Sequence, residues 1–103
     1  MSDLREYVQS YVEHSNKIVK ASGDPSQVYN VRGWIGDCRH FAQKAYDEAM
    51  HTLNTGGQVY IDNKDGSRTY WNQDDVGRAY GRRMEWILRA ERENEELARK
   101  HGY

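Results

Sequence analysis

Apolar positions recur along this chain at two different periods, and the places where the period changes mark out its elements. Leu4, Tyr7, Val8, Tyr11, Val12, Ile18 and Val19, with Ser15 among them, fall at three- and four-residue spacing. That spacing predicts a helix over about 3–22 with one face against a core. Ser2 or Asp3 can cap it, and Asp3 with Glu6 has capping-box spacing. Lys17 and Lys20 complement the dipole of its last turn, and Gly23-Asp24-Pro25 ends it. A second stripe keeps helical period from Val31 to Leu53, through Trp34, Ile35, Cys38, Phe41, Ala42, Ala45, Tyr46, Ala49 and Met50. Its start is open: Asn30 can cap a long helix, or Asp37 a shorter one. The long version contains Gly33 and Gly36, each costing about 1 kcal/mol against alanine in a helix interior. The preferred reading is a helix over about 37–54, with 26–36 partly ordered ahead of it.

Between 53 and 72 the period drops from helical to alternating. Thr55-Gly56-Gly57 reads as a helix stop, because glycine accepts the left-handed conformation after the cap. Val59–Ile61 and Thr69–Trp71 are β-branched and aromatic runs, and Asn63-Lys64-Asp65-Gly66 between them is strong turn chemistry. Asp65 and Gly66 are the structural turn residues, with Gly66 at positive φ. Two such short strands are marginal alone, so the hairpin is expected to lie on the helices around it. Residues 42–91 then form one compact α-β-β-α unit.

A third helix follows, capped by Asn72 or Asp74, with Val76, Ala79, Tyr80, Met84, Ile87 and Leu88 as its buried stripe. Beyond Glu91 the apolar period lapses except at Leu97. The segment 91–101 is expected to be a charged helical extension, solvated or facing a partner, with Glu95–Arg99 and Glu96–Lys100 as i,i+4 pairs. The predicted fold class is therefore α+β: helix, helix, two-stranded antiparallel β-hairpin, helix, in one domain over 1–103, with the helix-hairpin-helix unit at about 37–91. The predicted core is Phe41, Ala45, Tyr46, Ala49, Leu53, Val59, Ile61, Trp71, Val76, Tyr80, Met84 and Ile87.

Composition narrows the function more than it names it. A chain of 103 residues that is 37% hydrophobic and 30% charged can bury one modest core. Its net charge of −1 disfavours a dedicated nucleic-acid binder, and equally a heavily acidic DNA mimic. A single Cys forms no internal disulfide, and no apolar run resembles a signal peptide or membrane span, so the chain is expected in the cytoplasm where it is made, with no membrane partner.

Catalytic and metal chemistry find little purchase. In Asp37-Cys38-Arg39-His40 the thiol and imidazole are two residues apart, which on a helix points them in different directions. Cys38 belongs to the apolar stripe, where a buried thiol is the ordinary outcome. His14, His40, His51 and His101 show no zinc-type spacing. The Asp62–Gly66 turn puts Ile61 where a calcium loop needs its first ligand. No glycine loop of phosphate-binding type follows a strand. No catalytic, cofactor-binding or metal site is predicted, and no cofactor.

What remains are surfaces. Gly77 and Gly81 lie one turn apart on one helix face, which points either to a close helix approach, in the core or against another subunit, or to a tolerated irregularity near the helix start. Arg78, Arg82, Arg83 and Arg89, with Glu85 among them, give the third helix a basic patch that could touch an acidic protein surface or phosphates. These six are the candidate partner-binding residues.

Leu53-x-Thr55-Gly56-x-x-Val59, then Lys64-Asp65-Gly66-x-Arg68, then Trp71, resembles the W-type head–tail joining (head-completion) proteins of tailed bacteriophages. The resemblance covers roughly 42–91, with Val76, Tyr80, Met84 and Ile87 at plausible core positions. That family is similar in architecture, two helices flanking one hairpin; the N-terminal helix and the charged C-terminal helix are additions here. The resemblance implies a non-enzymatic virion protein that joins head to tail as a ring of copies at the portal. Its partners would be portal and tail or neck proteins, other copies of itself, and DNA where it touches the channel. It would reside in the virion, and in the host cytoplasm before assembly. The alternatives are a small phage or bacterial regulator that inhibits a host protein, and a nucleic-acid module using the third helix.

Overall fold

A computed structural model describes residues 2–102, and the side chains from residue 4 onward. The cap expected from Ser2 or Asp3 therefore lies outside the described side chains. The order is α1 (Ser2–Ala21), a 3₁₀ turn (Pro25–Gln27), α2 (Val28–Asn54), β1 (Val59–Asp62), β2 (Arg68–Trp71) and α3 (Gln73–Lys100). Three helices and one two-stranded antiparallel sheet make a small α+β domain of mostly helical content, as its pattern predicts.

α2 is the spine. It packs against α1 on one side and α3 on the other, while α1 and α3 meet chiefly where the Tyr11 ring takes Trp86 edge-on at 6.5 Å. Alanines make this possible: Ala42, Ala45 and Ala49 are all buried along α2, so neighbouring backbones can approach closely. The body is correspondingly long and flat, 51 × 27 × 19 Å, with a radius of gyration of 15.9 Å. A compact chain of this length would have about 13 Å.

α2 begins nine residues earlier than the preferred reading has it, at Val28 rather than Asp37. Asp24 caps the 3₁₀ turn, accepting from Ser26 N at 3.0 Å and from its Oγ at 2.7 Å, and the turn runs straight into α2. Val28, Val31 and Ile35 are buried there. Burying three branched side chains, at about 1.5–3 kcal/mol each, outweighs the propensity lost at Gly33 and Gly36.

α3 likewise exceeds its expected role. Residues 91–100 are helical, as expected, and their outer face is exposed, but one face returns onto α2. Ala98 is buried, and buried Asn94 donates through Nδ2 to the Val28 carbonyl at 3.2 Å. Arg39 forks onto Glu91 (3.0 and 2.8 Å) and Arg32 onto Glu95 (2.7 and 2.9 Å). Glu95 thus pairs across helices with Arg32, and neither of the expected i,i+4 pairs, Glu95–Arg99 or Glu96–Lys100, forms an ion pair among the described residues. Each bidentate pairing holds its carboxyl below the ordinary value.

Two apolar clusters result. The larger joins Ile18, Val31, Ile35, Cys38, Ala42 and Ile87, with Met84, Trp34 and Trp86 against it. The smaller joins Ala49, Val59 and Val76, with Leu4, Tyr46, Leu53 and Trp71 around them. Of the predicted core, Ala45, Ala49, Val59, Val76 and Ile87 are buried, and Phe41, Tyr46, Leu53, Trp71, Tyr80 and Met84 are partly buried. Ile61 is not core: it is 47% exposed. Val12, Val19 and Leu88, each on a predicted stripe, are also exposed. Stripes chosen by spacing are wider than the faces that α2 can cover.

Candidate docking surface

The hairpin is positioned from both ends by backbone chemistry. At the end of α2, Gly56 sits at φ +86° and Gly57 N donates to the Thr52 carbonyl at 2.8 Å. A Cβ on Gly57 would lie 2.8 Å from Thr52 Cγ2, so only glycine lets β1 leave the helix this closely. At the start of α3, Asn72 and Asp75 form a reciprocal capping box, each side chain accepting from the other's backbone N–H at 2.9 Å. Between these anchors the register pairs Val59 with Trp71, Tyr60 with Tyr70, Ile61 with Thr69 and Asp62 with Arg68.

The tip is closed by its own polar groups. Asn63 N donates to the Ser67 carbonyl at 2.8 Å, and Asp65 Oδ1 accepts from Ser67 N (3.0 Å) and Oγ (2.6 Å). Those bonds hold the Asp65 carboxyl below its ordinary value. Gly66 lies at φ +89°. Asp65 and Gly66 thus do what the sequence assigns them.

The hairpin does not lie down on the helices, however. Only its base, Val59 and Trp71, joins the core. One face carries Tyr60 and Tyr70, their rings 5.8 Å apart and both exposed, with Arg68 over the Tyr60 ring at 4.3 Å and bonded to Asp62 at 3.0 Å. The smaller cluster alone offers too few buried partners to draw in a four-residue strand whose tip satisfies its own bonds.

Beneath the raised hairpin runs an apolar groove of about 590 Å³, floored by Leu4, Val8, Val59, Ile61, Trp71 and Val76. Two cations line it, Arg5 and Arg83, and among the described residues neither has an ion pair. Arg83 is half-buried with its guanidinium 5.7 Å from the Tyr11 ring centre. Burial, and Arg82 beside it, pull the Arg83 guanidinium below its ordinary value, which Tyr11 partly offsets; burial likewise pushes the Tyr11 hydroxyl up to about 12. Asp62, the acidic residue in the lining, is already engaged by Arg68.

The predicted patch is therefore divided. Arg78, Arg82 and Arg89 fall within about 40° of one another around a helix, with Glu85 among them, while Arg83 is turned about 100° from Arg82. Arg78 is paired with Asp75. Arg82 is exposed, and Arg89 lines a second cleft of about 530 Å³ between the end of α1 and the last turns of α3, where Glu93, Glu96 and Lys100 balance its charge. The close approach expected at Gly77 and Gly81 does not occur within the chain: a Cβ on either meets nothing within 4 Å. Of the groove's lining only Arg83 is among the sequence-predicted partner residues, although the exposed alternation Tyr60, Asp62 beside Ile61 carries a signal for a two-faced strand.

Catalytic chemistry is not assembled at the one place where thiol, imidazole and carboxylate are sequence neighbours. Cys38 is buried, its thiol pushed up to about 11 by burial first and by Asp37 second, and it faces the Tyr11 carbonyl at 3.9 Å. A thiol so protonated is a poor nucleophile. Asp37 turns instead to His14, which anchors its Nδ1–H on the Ser10 carbonyl. Among the described residues no group of three or more His, Cys, Asp or Glu is placed to hold a metal ion, and no helix is long and apolar enough to cross a membrane. Set beside known protein families, curated proteins and solved structures, the chain matches none of them.

Proposed function

We propose that this protein is a non-enzymatic head–tail connector of a tailed phage, working as several copies around a portal. The observation that carries the reading is the combination of a raised aromatic hairpin and an open apolar groove on a flat, elongated body. Its accessible surface is 6926 Å². A compact monomer of 12.1 kDa would expose about 6,000 Å². The difference, roughly 900 Å², is close to what one partner contributes to a standard protein interface. The α2–hairpin–α3 unit also has the architecture that the hairpin motif's resemblance to W-type proteins implies.

Ring contacts would use the hairpin face and the Arg82/Arg89 side of α3, which are exposed, while Arg83 belongs to the groove. Heterologous contacts of this size gain from a template. In dilute solution the expected state is a monomer or small oligomer, with multiple copies on portal-bearing particles. The test is quantitative mass spectrometry of purified virions together with deletion of the gene. Presence at several copies per portal, and tailless heads on deletion, support the reading. Absence from virions with normal infection removes it and leaves regulation of a host protein ahead.

A further inference from the structure

The groove has a feature that an ordinary apolar cleft lacks. Gln58, Val59, Tyr60, Ile61 and Asp62 all line it, five consecutive residues, whereas Trp71 is the β2 residue in the lining. A strand that presents consecutive residues to a groove presents its edge. The hydrogen bond from Asn63 N to the Ser67 carbonyl makes 63 and 67 a bonded pair. By antiparallel alternation Ile61 and Val59 then bond to β2, and Tyr60 and Asp62 direct their N–H and C=O groups away from it. Among the described residues no backbone hydrogen bond from outside the hairpin reaches Tyr60 or Asp62.

We infer that an extended segment of another protein docks in this groove as a third strand on β1, its inward side chains apolar except for a carboxylate that pairs with Arg83. Three observations converge on that occupant. The free edge of β1 supplies main-chain donors and acceptors at Tyr60 and Asp62. The Leu4, Val8 and Ile61 walls accept alternate apolar side chains, the usual division of labour in strand addition. The groove's unpaired charge is positive, Arg83 and Arg5, because Asp62 is taken by Arg68. The second cleft, at the other end of α1, has mixed charge and no strand edge, so it imposes no such chemistry. The described residues from Ser2 to Lys100 occupy their own elements and connections, so none of them fills the groove. The inference does not depend on the protein's serving in a virion.

The probe is an array of blocked nine-residue peptides in which Val or Ile alternates with Ser or Thr and Glu replaces the central apolar residue. A matched array carries Gln there. Binding to the full chain is read by fluorescence anisotropy, and the site by amide exchange in ¹⁵N-labelled protein. Glu peptides should bind and protect the Tyr60 and Asp62 amides, and their Gln counterparts should bind about tenfold or more weakly. Arg83→Gln should erase that difference. Tyr60→Pro removes an outward N–H that an edge strand can spare, so it should abolish binding while the Ile61 amide stays protected; Tyr60→Thr, which keeps the donor, should bind. Equal affinity for Glu and Gln peptides, unchanged exchange at Tyr60 and Asp62, or no binding up to ~1 mM each overturns the inference.

Discussion

The two ends of the molecule are built from the same spine, α2, and differ in almost everything else. At the end formed by the start of α2 and the last turns of α3, Val28, Val31, Ile35 and Ala98 are buried under a lid of two Arg–Glu forks and the Asn94 bond. At the hairpin end a raised strand pair stands over an open groove, joined to the core by Val59 and Trp71. Polar side chains are bonded at both ends. At the first, two Arg–Glu forks and the Asn94 bond cross helices, while at the second Gln73 Nε2 donates to Asn54 Oδ1 at the hairpin's base and the bonds of the tip stay inside its own turn. Cross-helix bonds couple elements to one another, whereas bonds inside the turn stabilise only the turn. The chain therefore holds its fold at one end and keeps the other end's surface available without weakening the whole.

The largest effect should come from the closed end's core. Ile87 is fully buried, and Ile87→Ala should cost ~2–4 kcal/mol in urea denaturation. Leu53→Ala, at the open end and only partly buried, should cost less, ~1–2 kcal/mol, since less area returns to water. Equal losses would erase the contrast drawn between the two clusters.

Next comes the hairpin turn. Gly66→Val forces a β-branched residue to φ +89°, a strain of ~1–3 kcal/mol. It should appear as lost amide protection from Tyr60 to Trp71, with the amides around Ile87 unaffected. Lys64→Ala should be nearly silent. Spread of the Gly66→Val effect to α3 would show the hairpin to be coupled more tightly than its contacts allow.

Asn94→Ala leaves the buried seat of Asn94 without its bond to the Val28 carbonyl, and should cost ~1–2 kcal/mol with fraying of the first turn of α2. Amide exchange at the start of α2 is the direct readout.

The smallest effect is titration of the lid. Glu91 and Glu95 are depressed below 4.5 by their arginines. A depressed folded-state value means stability that is present above the ordinary carboxylate range and is lost as pH falls through the folded values. Because these pairs are half-exposed, the loss should be small and weaker in high salt. Urea midpoints taken on either side of pH ~4 should converge in an Arg32→Gln/Arg39→Gln double variant.

How much of this was legible in the sequence varies residue by residue. Gly66, Asp65 and Asn72 act through bonds spanning a few residues, so their roles could be read locally. The α1, α2 and α3 stripes and the burial of Cys38 follow from period alone. The candidate site was less visible. Arg78, Arg82, Arg83 and Arg89 are one cluster in sequence, but helical rotation sends Arg83 to the groove and leaves the others on the outer face. The partner that gives Arg83 its meaning, the Tyr11 ring, lies on a different helix.

Local chemistry thus determined, from sequence by itself, that this chain makes three helices and one hairpin, where the hairpin turns, and which face of each helix is apolar. Tertiary structure alone decided where α2 begins, that 91–100 returns to it, and that Ile61 remains in the open. Each of those outcomes depends on how much neighbouring surface is left to cover a given side chain. That quantity depends on the arrangement of all the elements at once, and no window of the sequence contains it.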